Sequence, residues 1–204
     1  MPQRGAVTRA ERPSDPTTGD QAGESRRTFS STELKRLHRG WRRRTTGRLA
    51  LLLDGVQNPF NLGSIARTAA AMRVERVWSA GPPVDVRNPK VQKTALGTDR
   101  MLRWDAHPRI GAALDAARAD GYRLIGVELG TGSVPLFELT LTGDVCLVVG
   151  HEERGLSRTA MAGCDRVGFV PLLGRVGSLN VATATALALY EVRRQEWTAT
   201  DADG

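Results

Sequence analysis

Short apolar runs alternate with segments of helical periodicity along most of this chain, and that alternation limits the fold more than any other feature. Residues 49–53, 74–79, 101–104, 122–127, 145–149 and 167–170 read as strands. Residues 61–72, 108–119, 157–162 and 180–195 read as helices, with Pro108 near the start of one and Gly121 just past its end. Residues 81–99 read as a long proline-containing connection with one helical turn near 92–96. Strands separated by helices do not pair as hairpins. They form a mostly parallel sheet with helices on both faces, an α/β fold. In such sheets ligands bind beyond the carboxyl ends of the strands. Three loops rich in Gly and Asn fall at such ends: 54–61, 150–157 and 171–180.

The net charge of +7 is unevenly spread. Residues 29–48 hold seven basic side chains against one acid, Glu33, whereas residues 49–204 hold seventeen of each sign. Residues 1–28, with five Arg and four acids, have almost no apolar side chains to offset the entropy of ordering, so a disordered tail is expected there. Order is expected from Phe29. Ser30 and Glu33 have capping-box spacing, and Phe29 and Leu34 have hydrophobic-staple spacing. Leu34, Leu37 and Trp41 then form one apolar stripe, Gly40 weakens the helix, and Lys35, Arg36, Arg39, Arg42, Arg43 and Arg44 occupy the rest. The plain reading is a solvated basic helix docked by its stripe. A neutral body beside a cationic helix favours an arm that grips RNA. Basicity alone does not separate RNA from DNA or an anionic membrane. The expected organisation is thus a tail (1–28), a basic RNA-binding helix (29–48) and a single domain (49–204).

Other chemistries are disfavoured. Cys146 and Cys164 have no CxxC partner, and His38, His107 and His151 are scattered, so no metal site or disulfide framework is expected. No apolar run approaches membrane-spanning length and no apolar leader is visible, which points to a cytoplasmic protein with reduced thiols. There is no Walker A sequence, and Gly130-Thr131-Gly132 lacks the third glycine of a dinucleotide loop.

Each of the three loops admits a bland reading. In the first, Asn61 reads as a helix cap and Arg67, six residues on, as a surface arginine or a group near the same helix face. In the second, His151-Glu152 begins an HExxH pattern, but position 154 is Arg, so a zinc protease is rejected. Gly150 permits a close backbone approach to a ligand, and Ser157 reads as a cap. In the third, Ser178 and Asn180 precede an Ala-rich helix and read as caps; Val176 and Asn180 exclude a GxSxG nucleophile elbow.

Taken in order, the loops resemble the SpoU/TrmH family of RNA 2′-O-methyltransferases in the SPOUT superfamily. The resemblance covers residues 49–195. It rests on an NxGxxxR motif (Asn61, Gly63, Arg67), a GxExxG motif (Gly150, Glu152, Gly155) and the run Ser178-Leu179-Asn180. The segment 93–98, the basic helix and Leu189-Tyr190-Glu191 look closest to the tRNA guanosine branch.

The resemblance implies a methyltransferase domain with a C-terminal trefoil knot, S-adenosylmethionine as methyl donor and a homodimer joined through the knot. It places the cofactor on Val127, Gly150, Val170 and Leu179, largely through backbone, with Gly174 and Gly177 keeping the crossing thin. It assigns chemistry to Arg67, Asn61, Glu152, Ser178 and Asn180. Arg67 acts as the proton acceptor, or as an orienting and charge-stabilising group. An rRNA 2′-O-methyltransferase is the alternative; such enzymes often carry a separate RNA-binding domain, for which this chain has no room. A non-catalytic RNA-binding module of the same fold is the rival from another class. The Ala-rich face around Val181, Ala184, Leu187 and Ala188 is the expected dimer surface.

Overall fold

A computed structural model describes residues 27–202. The expected disorder of residues 1–28 therefore lies, save for Arg27 and Thr28, outside the described residues. The chain divides into two units at His38–Arg39. In the first, a helix that runs on to Arg43 (α1, Ser31–Arg43) opens on the expected capping box. Ser30 N–H donates to Glu33 at 2.8 Å, and Glu33 N–H donates to Ser30 Oγ at 3.4 Å. Arg27 pairs with Glu33, and with Ser30 it holds the Glu33 carboxyl down at about 2. No side chain of α1 is buried, so Leu34 and Leu37 of its apolar stripe remain substantially exposed.

In the second unit seven strands form one sheet. They are β1 (Leu49–Asp54), β2 (Arg76–Ala80), β3 (Arg103–His107), β4 (Arg123–Val127), β5 (Val134–Pro135), β6 (Val145–Gly150) and β7 (Arg166–Phe169). Every pairing is parallel, in the order β3-β2-β1-β6-β4-β7-β5. The helices are α2 (Pro59–Ala71), α3 (Pro89–Ala95), α4 (Ile110–Ala119), α5 (Arg158–Gly163) and α6 (Val181–Ala202). The period-two geometry of β1 splits its side chains between two cores. Leu49, Leu51 and Leu53 pack with residues of α2, α3 and α6, and Ala50 and Leu52 pack with residues of α4 and α5. The expected α/β sheet covered on both faces is what forms. Strand 101–104 is displaced to Arg103–His107, the 81–99 connection holds the whole of α3, and β5 has no counterpart in the sequence reading.

Two devices bear on the loops. Gly63, on the buried side of α2, faces the Val91 carbonyl and Thr94 of α3; a methyl there would stand 2.5 Å from the Val91 oxygen. Gly63→Ala is expected to cost about 1–3 kcal/mol in urea unfolding, and unchanged stability would contradict the close helix contact. On α6, buried Arg193 and Glu196 pair at 2.7 Å. Arg193 donates to the Gly47, Met72 and Arg73 carbonyls, and Glu196 accepts from Thr46 and Gly47 N–H. This pair ties the segment entering β1 to the last helix. Trp41 also packs on Trp197, at 4.8 Å between ring centroids.

Candidate active site

β1 and β6 are neighbours in register, with Asp54 opposite Gly150, so the loops that follow them leave the sheet side by side. The loop after β1 ends at Asn58, whose side chain accepts from Phe60 N–H at 2.9 Å and Asn61 N–H at 3.3 Å. Asn58 is thus the cap of α2, with Pro59 in the first helical position. The reading of Asn61 as the cap is corrected, and its amide is left free for other partners.

The loop after β6 folds back on itself through paired His151 and Gly155 backbone hydrogen bonds of 3.0 and 2.9 Å. Both motif glycines are needed here. A Cβ on Gly150 would strike the Gly155 backbone, and Gly155 has a positive φ of 64° with the Glu128 carboxylate against its Cα. The fold-back carries Glu152 toward α2, where its carboxylate accepts from Asn58 N–H at 2.9 Å and Asn61 Nδ2 at 3.0 Å. Burial pushes this carboxyl up, but the Asn61 amide and the Asn58 and Gln57 N–H groups outweigh it and hold Glu152 below its ordinary value. Asn61 Oδ1 in turn accepts from Asn180 Nδ2 at 3.0 Å, and Asn180 Oδ1 caps α6 through Ala182 N–H at 2.9 Å. One hydrogen-bonded chain, Glu152–Asn61–Asn180, therefore joins all three loops.

Beside that chain is a pocket of about 280 Å³. Val127, Gly150, Val170 and Leu179 line it, as do Glu152 and Ser178. Three carboxylates (Glu128, Glu152, Glu153), Arg154 and His151 are its charged and titratable groups. Ser178 is exposed and makes no hydrogen bond among the described residues. Ser157 caps α5, accepting from Ala160 N–H at 3.2 Å.

Of the two readings of Arg67, the surface arginine is the one observed: six residues along a helix is a rotation of roughly 120° from Asn61, and Arg67 is exposed with no partner among the described residues. The expectation for the two glycines of the third loop fails. A Cβ on Gly174 or Gly177 would meet nothing within 4 Å, so no tight crossing requires those glycines. Two site residues lie outside the motifs. Asn58 is signalled in sequence by the Asn-Pro pair at a helix start. Glu128, at the end of β4, has no sequence signal.

Residues 48–190 match the model of the SpoU rRNA Methylase family. The chain is similar to the 23S rRNA (guanosine-2′-O-)-methyltransferase RlmB of Coxiella burnetii, 35% identical over 76% of this chain and 61% of that protein. It is also similar to the tRNA (guanosine(18)-2′-O)-methyltransferase of Escherichia coli, 31% identical over 72% of this chain and 63% of that one. A solved structure, the SpoU methyltransferase AviRb from Streptomyces viridochromogenes in complex with AdoMet, superposes with a TM-score of 0.66 at 33% identity, covering 72% of this chain and 57% of that one. The chain spans about three fifths of the length of the curated relatives it matches. With its three loops joined at the ends of a parallel sheet and a family match running from the first strand into the last helix, this chain belongs to the SpoU rRNA Methylase family.

Proposed function

We propose that this chain transfers a methyl group from S-adenosylmethionine to a ribose 2′-hydroxyl of RNA, with a tRNA guanosine as the first candidate acceptor. The observation that carries this reading is the Glu152–Asn61–Asn180 chain beside the pocket. The pocket suits the methyl donor. Val127, Val149, Phe169, Val170 and Leu179 offer apolar surface for an adenine, and an acidic lining suits a cofactor with a net positive charge. The 127–129, 150–155 and 177–179 segments line the same pocket, and the family's knot is carried as part of the proposal. Bound there, S-adenosylmethionine would supply an electrophilic methyl whose departure discharges the sulfonium, so the leaving group needs no acid.

The protein's task is then alignment and help with the 2′-proton. Asn61, held between Glu152 and Asn180, fixes the loop that meets the acceptor ribose. Asn180 joins that loop to the start of α6, and Ser178, exposed in the pocket wall, is available to the substrate. Arg67 is absent from its own chain's pocket wall, so its assignment to the 2′-oxygen rests on the dimer proposed below, in which it would meet the acceptor at the partner's pocket and its guanidinium would stabilise the charge that develops as the proton leaves. A specific finding also favours rRNA as acceptor, because the relative at 35% identity is named for 23S rRNA. Mapping 2′-O-methyl positions in total RNA with and without the protein tests both, and no new position on any RNA overturns the reading. Calorimetry with S-adenosylmethionine separates the enzyme from a non-catalytic RNA-binding module. Among the described residues no helix is long and apolar enough to cross a membrane, and no group of three His, Cys, Asp or Glu side chains is placed to hold a metal. A cytoplasmic location, where an RNA substrate is met, is part of the proposal.

The protein is further proposed to act as a homodimer. Ala188 faces the core, which corrects the expected surface. The exposed apolar residues include Leu187 and Tyr190 on α6, Leu173 and Val176 on the third loop, and Phe60 on α2, and these are proposed as the dimer surface. Phe60 and Arg67, seven residues apart, share one helix face, so a partner seated on Phe60 lies against Arg67. Sedimentation is expected to give a dimer that Leu187→Glu with Tyr190→Glu dissociates. A stable, active wild-type monomer would overturn this.

A further inference from the structure

Glu128 is the one carboxylate of the pocket that no loop motif accounts for. It follows the last residue of β4 and is half-buried. Its two oxygens are fixed by different segments: Oε2 accepts from Leu156 N–H at 2.9 Å, and Oε1 from Leu129 N–H at 3.0 Å. Its head rests on Gly155, where any side chain would collide with it. Each carboxylate oxygen has a second lone pair, so two acceptor positions remain beyond these bonds. A carboxylate anchored at both oxygens and lining a pocket is pre-organised to receive two donors at once.

We propose that Glu128 holds the ribose diol of the bound methyl donor, accepting from its hydroxyls. The inference rests on the reading of this pocket as the S-adenosylmethionine site. Position argues for the diol. The Glu152–Asn61–Asn180 chain draws the loop after β6 toward the helix that follows β1, whereas Glu128 follows β4 on the other side of β6, two strands from β1, roughly 9–10 Å in sheet spacing. Glu128 therefore meets a part of the cofactor remote from the transferring methyl. The donor has two polar parts there, the ribose and the amino-acid zwitterion. The exposed pair Glu153 and Arg154 carries opposite charges in the same wall and matches the zwitterion. The half-buried Glu128, next to Val127 and near Val149, is left for the sugar.

The experiment is calorimetric binding of S-adenosylhomocysteine and of its 2′-deoxy and 3′-deoxy forms to the full chain and to Glu128→Gln. The wild type is expected to bind at least one deoxy form about 10- to 100-fold more weakly than the parent compound, the range of a hydrogen bond to a charged group. Glu128→Gln is expected to bind all three within about threefold of one another, because the discrimination belongs to the pair and not to either member. A purely structural Glu128 would weaken all three ligands together and leave the discrimination intact, which overturns the proposal. If Glu128→Gln does not fold, the wild type still decides, since equal affinity for parent and deoxy forms overturns the proposal by itself. Failure of S-adenosylhomocysteine to bind at all refutes the cofactor reading instead, so the two failures are distinguishable.

Discussion

Arg67→Ala is expected to lower single-turnover methyl transfer by about 10²–10³-fold while S-adenosylmethionine binds within about threefold of wild type. Arg67 projects from the exposed side of α2, has no partner among the described residues and is absent from the pocket wall. Its removal leaves the Glu152–Asn61–Asn180 bonds and the apolar pocket intact, so the loss falls on turnover and not on cofactor affinity. Arg67→Lys refines the test. A group acting as a simple cation at the 2′-oxygen retains much of its effect as lysine, whereas a planar, bidentate contact does not. Transfer rates from labelled cofactor, with calorimetry alongside, check the split. A parallel fall in affinity and rate would place Arg67 in the cofactor site.

The second large effect is expected from α1. At about 100° per residue, Lys35, Arg36, Arg39, Arg42 and Arg43 fall within roughly one third of the helix circumference. Leu34, Leu37 and Trp41 occupy a narrow arc opposite. Residues 49–204 are neutral by count, so this face is the strongest local source of positive field. Replacing those five residues by Gln is expected to weaken RNA binding and flatten its salt dependence. The log–log slope should fall by about 0.7–0.9 for each phosphate no longer neutralised, about 2 to 3.5 if three or four phosphates are engaged. Arg44 is left in place because its guanidinium stacks 4.7 Å from the Trp41 ring centroid and donates to the Trp197 carbonyl at 3.4 Å. Cofactor affinity is expected to stay unchanged, and deletion of residues 1–26 to have little effect on RNA affinity. A five-Gln variant that keeps the wild-type slope would move the RNA grip onto the body.

Legibility in the sequence follows burial. β1 and β6, enclosed on both faces, are unbroken apolar runs whose bounds are legible to within a residue. β3 is an edge strand, Arg-Trp-Asp-Ala-His, with no apolar run to mark it, and its position is not legible. β5 is two residues long and exists only because β7 lies beside it. Local chemistry is readable where a residue serves its own loop, as with the Ser157 and Asn180 caps. It is not readable where distant segments meet. Nothing near Glu128 in sequence announces that Gly155 and Leu156 will come against it. For Arg67 the difficulty is one of angle: six residues is nearly two turns, and the remaining rotation turns the side chain away from Asn61.

The position of β1 in the sheet has a cost in time. Its partners are β2, which follows shortly, and β6, whose register pairs Leu49 with Val145, 96 residues later. Until β6 exists, one edge of a strand whose first five residues are apolar has no neighbour. At a synthesis rate of about 5–20 residues per second, that edge waits on the order of 5–20 s on the ribosome. Refolding from denaturant faces the same long-range closure, which slows parallel sheets relative to local topologies. Chains truncated before residue 145 therefore keep an open, apolar strand edge that templates self-association, and the yield of folded protein depends on how well that interval is protected.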